Sequence, residues 1–221
     1  MKTTILYVSS NTQNPTFEKK IINRLLESIG NKPLVSVTQK PMPYLGLNIC
    51  VGEHESSYFN QFRQIMIGFN KITTPYVTIA EADTIYPPEY FEFEPPELGH
   101  AYRYDNCWIQ DLNLKRNQNF RWKKNGHFAQ VVDIKLWLEH LNKYFDGKPE
   151  WSSENAIGCC LQLPIVDGYD FTGRPVVSFK TDGSLKAKSP TSTVVIPKEF
   201  IDYWGSAEEL KKEMLSPLII N

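Results

Sequence analysis

Two carboxylates one residue apart, Glu81 and Asp83, follow the short apolar run Tyr76–Ala80 (YVTIA). Alternate residues of an extended chain point the same way, so the two acids face a common space. Like charges that close repel unless a cation lies between them. A hard divalent ion would accept both and still have room for diphosphate oxygens and water. In open α/β sheets ligands bind beyond the carboxyl ends of strands, where this pair would stand. The plain alternative is that Asp83 begins the turn before Pro87 and that Glu81 is solvated.

Positioning such a pair requires a sheet, and the first eighty residues supply one. Residues 4–8 (TILYV) read as a buried strand that ends in Ser9-Ser10-Asn11. Asn14-Pro15 opens a helix whose Phe17, Ile21, Ile22, Leu25, Leu26 and Ile29 recur at helical spacing, and Gly30 stops it. Residues 34–38 (LVSVT) form a second strand, which makes a strand–helix–strand opening and a parallel sheet. Residues 41–57 read as loop; Ser56 starts a helix carrying Phe59, Phe62, Ile65, Met66 and Phe69, and the acidic strand follows it. Later, 101–109 reads as one weak strand, 131–145 as an amphipathic helix and 175–180 as a strand. Ser206 and Glu209 form a capping box for a last helix.

The 221 residues fit one α/β domain with a more irregular second half. Lys+Arg total 24 and Asp+Glu 25, for a net charge of −1, which excludes a generally basic nucleic-acid binder. No apolar run reaches the roughly 20 residues of a membrane span. The start, MKTTILYVSS, turns polar too early for a signal peptide, so no membrane is expected and the cytoplasm is the expected place. Cys50, Cys107, Cys159 and Cys160 form no CxxC pair and are expected as buried free thiols.

Several blocks share an order and spacing. They are Ser36-Val-Thr-Gln-Lys-Pro41, Asn48-Ile-Cys-Val-Gly52, Arg63-Gln64, Glu81-Ala-Asp-Thr-Ile-Tyr-Pro-Pro88 with Phe91, Tyr104-Asp-Asn-Cys-Trp108 and Tyr203-Trp-Gly205. Together they resemble a glycosyltransferase family with the GT-A, Rossmann-like nucleotide-sugar-binding fold, a mostly parallel central sheet flanked by helices. The resemblance implies a donor half at 1–98 and an acceptor half at 99–221. It implies a Glu-x-Asp motif that carries Mn²⁺ or Mg²⁺ onto the diphosphate of a nucleotide sugar, a UDP-sugar first of all. Asp83 would hold the ion, with Glu81 beside it. Ser9, Ser10 and Asn11 would suit uracil and ribose; an ordinary strand-to-helix turn is the alternative. Arg63, Gln64 and Lys40 would serve the nucleotide or diphosphate, since guanidinium forks match phosphate oxygens. A solvated helix face is the alternative for Arg63.

Acceptor chemistry needs a carboxylate near the hydroxyl that attacks. Glu154, in Trp151-Ser-Ser-Glu154, is the expected general base, with Trp151 as a stacking surface for sugar; a helix cap is the alternative, and Asp133 is a weaker rival. One departure stands out. Where the family often has Arg-His-Gly with a metal-binding histidine, this chain has Phe179-Lys-Thr-Asp-Gly183. Asp182 is the expected oxygen substitute, which suits Mn or Mg. His127 reads as a loop residue within reach of donor or acceptor.

Charge is segregated. Residues 81–97 hold six acids and no base; residues 115–124 (KRNQNFRWKK) hold five bases and no acid. Cations interleaved with rings are what a nucleic-acid strand would use, so Trp122, Lys123 and Lys124 are expected acceptor contacts. Similar proteins occur in bacteriophages, where some glycosyltransferases decorate hydroxymethylated DNA bases. That makes phage DNA a candidate acceptor and the host cytoplasm the place. The rivals are a non-catalytic nucleotide-sugar or nucleic-acid binding module and, third, a nucleotidyltransferase, which would usually have glycine in VSSNTQNP.

Overall fold

The computed structural model describes residues 2–113, 119–123, 126–154, 165–166, 171–185 and 197–217. The chain opens β1 (Thr3–Ser9), α1 (Pro15–Ile29), β2 (Leu34–Thr38), β3 (Leu47–Cys50), α2 (Tyr58–Phe69) and β4 (Tyr76–Glu81). Strands β1 and β2 pair in parallel, as do β1 and β4, and β2 and β3. Both faces of such a sheet are covered, which is why β1, β2 and β4 are near-continuous buried runs rather than alternating ones. Asn14 caps α1 by accepting the N–H groups of Thr16 and Phe17, with Pro15 at the first turn. Gly30 ends it at φ 56°, a conformation that favours glycine.

The later elements are β5 (Thr84–Ile85), a 3₁₀ turn (Pro88–Phe91), β6 (Ala101–Arg103), β7 (Cys107–Asp111), β8 (Phe120–Trp122), β9 (Gln130–Asp133), α3 (Ile134–Phe145), β10 (Ile165–Val166), β11 (Val176–Lys180), β12 (Pro197–Lys198) and α4 (Ala207–Leu215). The first sheet has the order β10-β6-β9-β4-β1-β2-β3, and the second β12-β8-β7-β11-β5. In the first sheet only β9 runs against its neighbours. The protein is therefore a mixed α/β structure with a mostly parallel central sheet flanked by helices. That sheet takes strands from both halves of the chain.

Three elements depart from the expectation. Residues 47–50 form an edge strand, not loop; its mixed exposure left no alternation to read, and Cys50 is exposed there rather than buried. Residues 101–109 are not one strand: the chain leaves the first sheet after Arg103 and enters the second at Cys107. The helix expected from 131 begins at Ile134. Val131 and Val132 are buried in β9 between β4 and β6, and Asp133 caps the helix by accepting the Leu136 N–H at 3.0 Å. β-branched residues suit that strand. The Asp133 carboxylate also takes the Gly99 N–H, which assigns it to structure.

A tyrosine-rich core lies beneath the first sheet. Tyr86, Tyr90, Phe91, Tyr104 and Phe171 pack ring against ring. Tyr90 donates its hydroxyl to the Ile79 carbonyl at 2.7 Å and Tyr86 to the Phe128 carbonyl at 2.7 Å, so burial leaves neither hydroxyl unpaired. Among the described residues no helix is long and apolar enough to cross a membrane.

Candidate functional site

The two sheets meet at the acidic pair. Glu81 ends β4 in the first sheet, Asp83 precedes β5 in the second, and the Phe179 N–H of β11 donates to the Asp83 carbonyl at 2.7 Å. Both carboxylates line a cavity of about 640 Å³. Its walls include Ser9 and Ser10 at the end of β1, Ser57 and Tyr58 at the start of α2, and Asp111, Lys123 and Lys180 from the second sheet. A space of this size suits a nucleotide-sized ligand.

The electrostatics of the pair follow from its enclosure. Loss of water, then the neighbouring Asp83 charge, push Glu81 up to about 8, against the opposing pull of Lys180 and a hydrogen bond from Gln61 at 3.2 Å. Asp83 is raised too, by loss of water, with Lys180 and the hydroxyls of Ser184 and Thr84 pulling it back. Ser184 Oγ donates to Asp83 Oδ2 at 3.1 Å and Thr84 Oγ1 to Oδ1 at 3.2 Å. Two desolvated carboxylates that both resist ionisation are a site short of positive charge.

The segment after β11 ties this seam to the loop after β1. Thr181 Oγ1 donates to Gln13 Oε1 at 2.6 Å, and Thr12 Oγ1 to the Gly183 carbonyl at 3.4 Å. A Cβ on Gly183 would lie 2.8 Å from the Thr12 carbonyl oxygen, so only glycine permits this approach. Asp182, the expected metal ligand, is exposed and lies off the cavity wall; the residue of this turn that reaches Asp83 is Ser184. The tight approach of Gly183 to the β1 loop turns Ser184 inward.

The expected donor residues divide. Ser10 lines the cavity and its hydroxyl bonds Thr12 at 2.8 Å. Ser9 lines it too, but its hydroxyl is committed to the buried carboxylate of Glu18, which also accepts from Tyr7 at 3.1 Å and Asn11 at 3.2 Å. Asn11, at φ 52°, clamps two loops: its side-chain Oδ1 accepts the N–H groups of Gln39 at 2.9 Å and Lys40 at 2.8 Å. It therefore shapes the cavity rather than facing it. Gln64 lines the wall while donating to the carbonyls of Ser9 and Val37 at 2.9 and 3.1 Å, bridging β1 to β2. Lys40 is exposed, 3.9 Å from Glu53. Arg63 turns away from the cavity, donating to the carbonyls of Glu150 and Pro149 with its guanidinium 3.7 Å from the Phe145 ring.

The expected acceptor residues divide as well. Glu154 is exposed and off the cavity wall; its contribution is a main-chain carbonyl that accepts the Phe59 N–H at 3.2 Å. Trp151 stacks on His54 with ring centroids 3.7 Å apart, which occupies one face of its ring, and it does not line the cavity. Trp122 pairs with Trp108 across β7 and β8, and Arg121 stands 3.9 Å from Asp111. Lys123 lines the cavity. Lys115, Arg116 and Lys124 lie outside the described residues, as do Cys159 and Cys160.

Sequence reasoning missed Asp111, Lys180 and Ser184. Asp111 and Lys180 are register neighbours at the ends of β7 and β11, and no local pattern marks two strand ends 69 residues apart in sequence as adjacent. His127 lies on the wall with Nδ1 3.3 Å from Arg103 Nη2; loss of water and the charges of Arg103 and Lys123 lower its pKa.

No family model and no curated protein matches the chain. Among solved structures it is similar to the inositol-1-phosphate CTP transferase from T. maritima, at 10% identity over 98% of this chain and 97% of that one, with TM-score 0.47. It is similar to S. aureus TarS 1–349 in complex with UDP-GlcNAc, at 10% identity over 83% and 60%, with TM-score 0.45. It is also similar to the mannosyltransferase PcManGT from Pyrobaculum calidifontis in complex with GDP-Man and Mn²⁺, at 11% identity over 80% and 56%, with TM-score 0.44. The chain thus spans less than two thirds of the length of either glycosyltransferase. Likeness at this level is one of architecture, and the site residues of this chain stand on their own geometry.

Proposed function

We propose that the protein is a GT-A-type glycosyltransferase that moves a sugar from a nucleotide sugar, a UDP-sugar in the first instance, to an acceptor hydroxyl. The observation that carries this is the carboxylate pair at the seam of two sheets, at the end of a parallel strand, inside a cavity of about 640 Å³. Residues 1–98 supply the donor wall and residues 99–221 most of the acceptor wall.

A divalent cation fits the pair. Both carboxylates are short of positive charge, and an oxygen-only donor set suits Mn²⁺ or Mg²⁺. Among the described residues no group of three His, Cys, Asp or Glu forms a closed cage, so ligand oxygens and water would complete the shell. Glu81 and Asp83 would hold the ion, which when bound supplies neutralising charge to the departing diphosphate.

In the transfer, the bond from the anomeric carbon to the diphosphate oxygen breaks and a bond to the acceptor oxygen forms. The acceptor proton passes to a carboxylate. Asp111 is the one cavity-lining carboxylate among the described residues besides the pair itself, and its Oδ1 is held by the Asn113 N–H at 3.0 Å. The role of base expected of Glu154 therefore passes to Asp111. A hydroxymethylated base of phage DNA is the narrower form of the acceptor reading. It rests on the basic stretch 115–124, of which Lys123 alone among the described residues lines the cavity.

The test is a screen of UDP-sugars with Mn²⁺, reading UDP release with and without hydroxymethylated DNA. Metal-dependent release that Asp83→Asn removes supports the proposal. No release with any donor, while UDP still binds, would leave a non-catalytic binding module.

A further inference from the structure

The second sheet brings two lysines into the same cavity. Lys180 ends β11 and Lys123 directly follows β8; both are half-buried and both line the wall. They lie close enough for Lys180 to act on Lys123: loss of water and then the Lys180 charge lower the Lys123 pKa. Lys123 in turn acts on His127, whose pKa is lowered by loss of water and by the charges of Arg103 and Lys123. The described residues place no carboxylate within 4 Å of either ammonium. Ion pairs among the described residues of the second half join Arg121 to Asp111 and Arg174 to Glu89.

Like charges gathered in a half-buried wall cost stability unless an anion joins them. Each ammonium has three donors and no acceptor, so the missing partner is an acceptor-only group with several oxygens. Phosphoryl oxygens meet that description, and the charge-assisted bonds they accept are the strong ones. Glu81, Asp83 and Asp111 line the same cavity, and the Lys180 charge reaches the acidic pair, yet none of the three comes within 4 Å of either ammonium, so the donors of both lysines are open to a phosphorylated ligand.

We infer that Lys123 and Lys180 form an oxyanion subsite that binds a phosphoryl group directly, without a metal ion. The subsite deepens the nucleotide-sugar reading, because the phosphoryl group is either the diphosphate of the donor or a phosphate carried by the acceptor. The binding chemistry is common to both sources, and the experiment separates them.

Binding is measured by titration calorimetry in buffer with EDTA, using inorganic pyrophosphate, inorganic phosphate, UDP and uridine on the full chain. Pyrophosphate is expected to bind the wild type in EDTA. Lys123→Met and Lys180→Met, which keep most of the stem, should each weaken it about tenfold or more. Lys123→Arg and Lys180→Arg should retain it, and the unliganded melting temperature of each variant reports whether it is folded. If UDP binds more tightly than uridine and loses that margin in Lys123→Met, the donor supplies the phosphoryl group. If UDP affinity is unchanged in the variant while phosphate binding to the UDP-saturated protein is lost, the acceptor supplies it. Either result supports the subsite. Pyrophosphate that binds only when Mn²⁺ is added, or binds folded Met variants as well as wild type, overturns it. Because no readout involves sugar transfer, the subsite can stand if the glycosyltransferase reading fails, and the reverse.

Discussion

The acidic and basic walls of the cavity are built in opposite ways. Glu81 and Asp83 sit two residues apart, and one strand end presents both. Asp111, Lys123 and Lys180 come from three strand ends of the second sheet and meet only because β7, β8 and β11 pair. The first wall is a local device that a chain segment carries with it. The second is a product of long-range register, in which one slipped residue would turn each side chain to the other face. A local motif can therefore mark a site, while the groups that decide what the site does with a ligand are dispersed.

If the walls have separate tasks, single substitutions should separate them. Asp83→Asn should lower metal-dependent donor turnover by about 100-fold or more, with the fold retained, because one charge is removed at nearly constant shape. Asp111→Asn should also lower sugar transfer by about 100-fold, the lower end of a general base's contribution, yet leave UDP affinity unchanged. Equal losses of transfer and UDP binding in both variants would erase the distinction. The readouts are steady-state UDP release and calorimetric UDP binding.

The seam between the walls gives the next effect. Gly183→Ala puts a Cβ 2.8 Å from the Thr12 main-chain oxygen, which cannot yield as a side-chain tip would. Urea unfolding should show a loss of about 1–3 kcal/mol, and the weaker grip of Ser184 on Asp83 should raise the Mn²⁺ dissociation constant. An unchanged midpoint would mean that the two sheets are not braced through this turn.

A pH effect of smaller size follows from the raised carboxyl of Glu81. Its folded value of about 8 stands above the ordinary 4.5 of a free glutamate, so between those pH values the native protein holds a proton that the unfolded chain has released. Stability in EDTA is then greatest at the acid end of this window and falls as pH rises through it, by less than about 1.4 kcal/mol per pH unit. Glu81→Gln should flatten that slope, and saturating Mn²⁺ should abolish it, because the ion holds the native pair deprotonated throughout the window, as the unfolded chain already is. A metal-free stability that climbs with pH from 5 to 8 in the wild type, and equally in the variant, would remove Glu81 as the cause.

The smallest effect is expected at Glu154, whose side chain is exposed and off the cavity wall. Glu154→Gln should change transfer by no more than about twofold, since surface substitutions away from such features cost little. A large loss would restore the base role to this residue and displace Asp111.

Much of the first half was legible because its signals are local. The β1 run, the Asn14-Pro15 start and Gly30 stop of α1, and the acidic motif after Tyr76–Ala80 each lie within one element, and each appears in the structure. Arg63 and Asn11 were expected at the nucleotide and face elsewhere. Arg63 finds the carbonyls of Glu150 and Pro149, and Asn11 finds Glu18 and the loop after β2. A side chain's partner depends on what the rest of the chain brings near it, which residue type and spacing do not contain.

What the sequence determined by itself is the parallel opening of the sheet and a carboxylate pair at its edge, because apolar periodicity, capping residues and i, i+2 geometry act over a few residues. The tertiary structure alone decided that Val131 and Val132 are strand rather than helix, that Ser184 rather than Asp182 reaches Asp83, and that Lys123, Lys180 and Asp111 share one wall. Those outcomes rest on strand pairing and on the close approach of Gly183 to Thr12, contacts whose free energy exists only once distant segments have met.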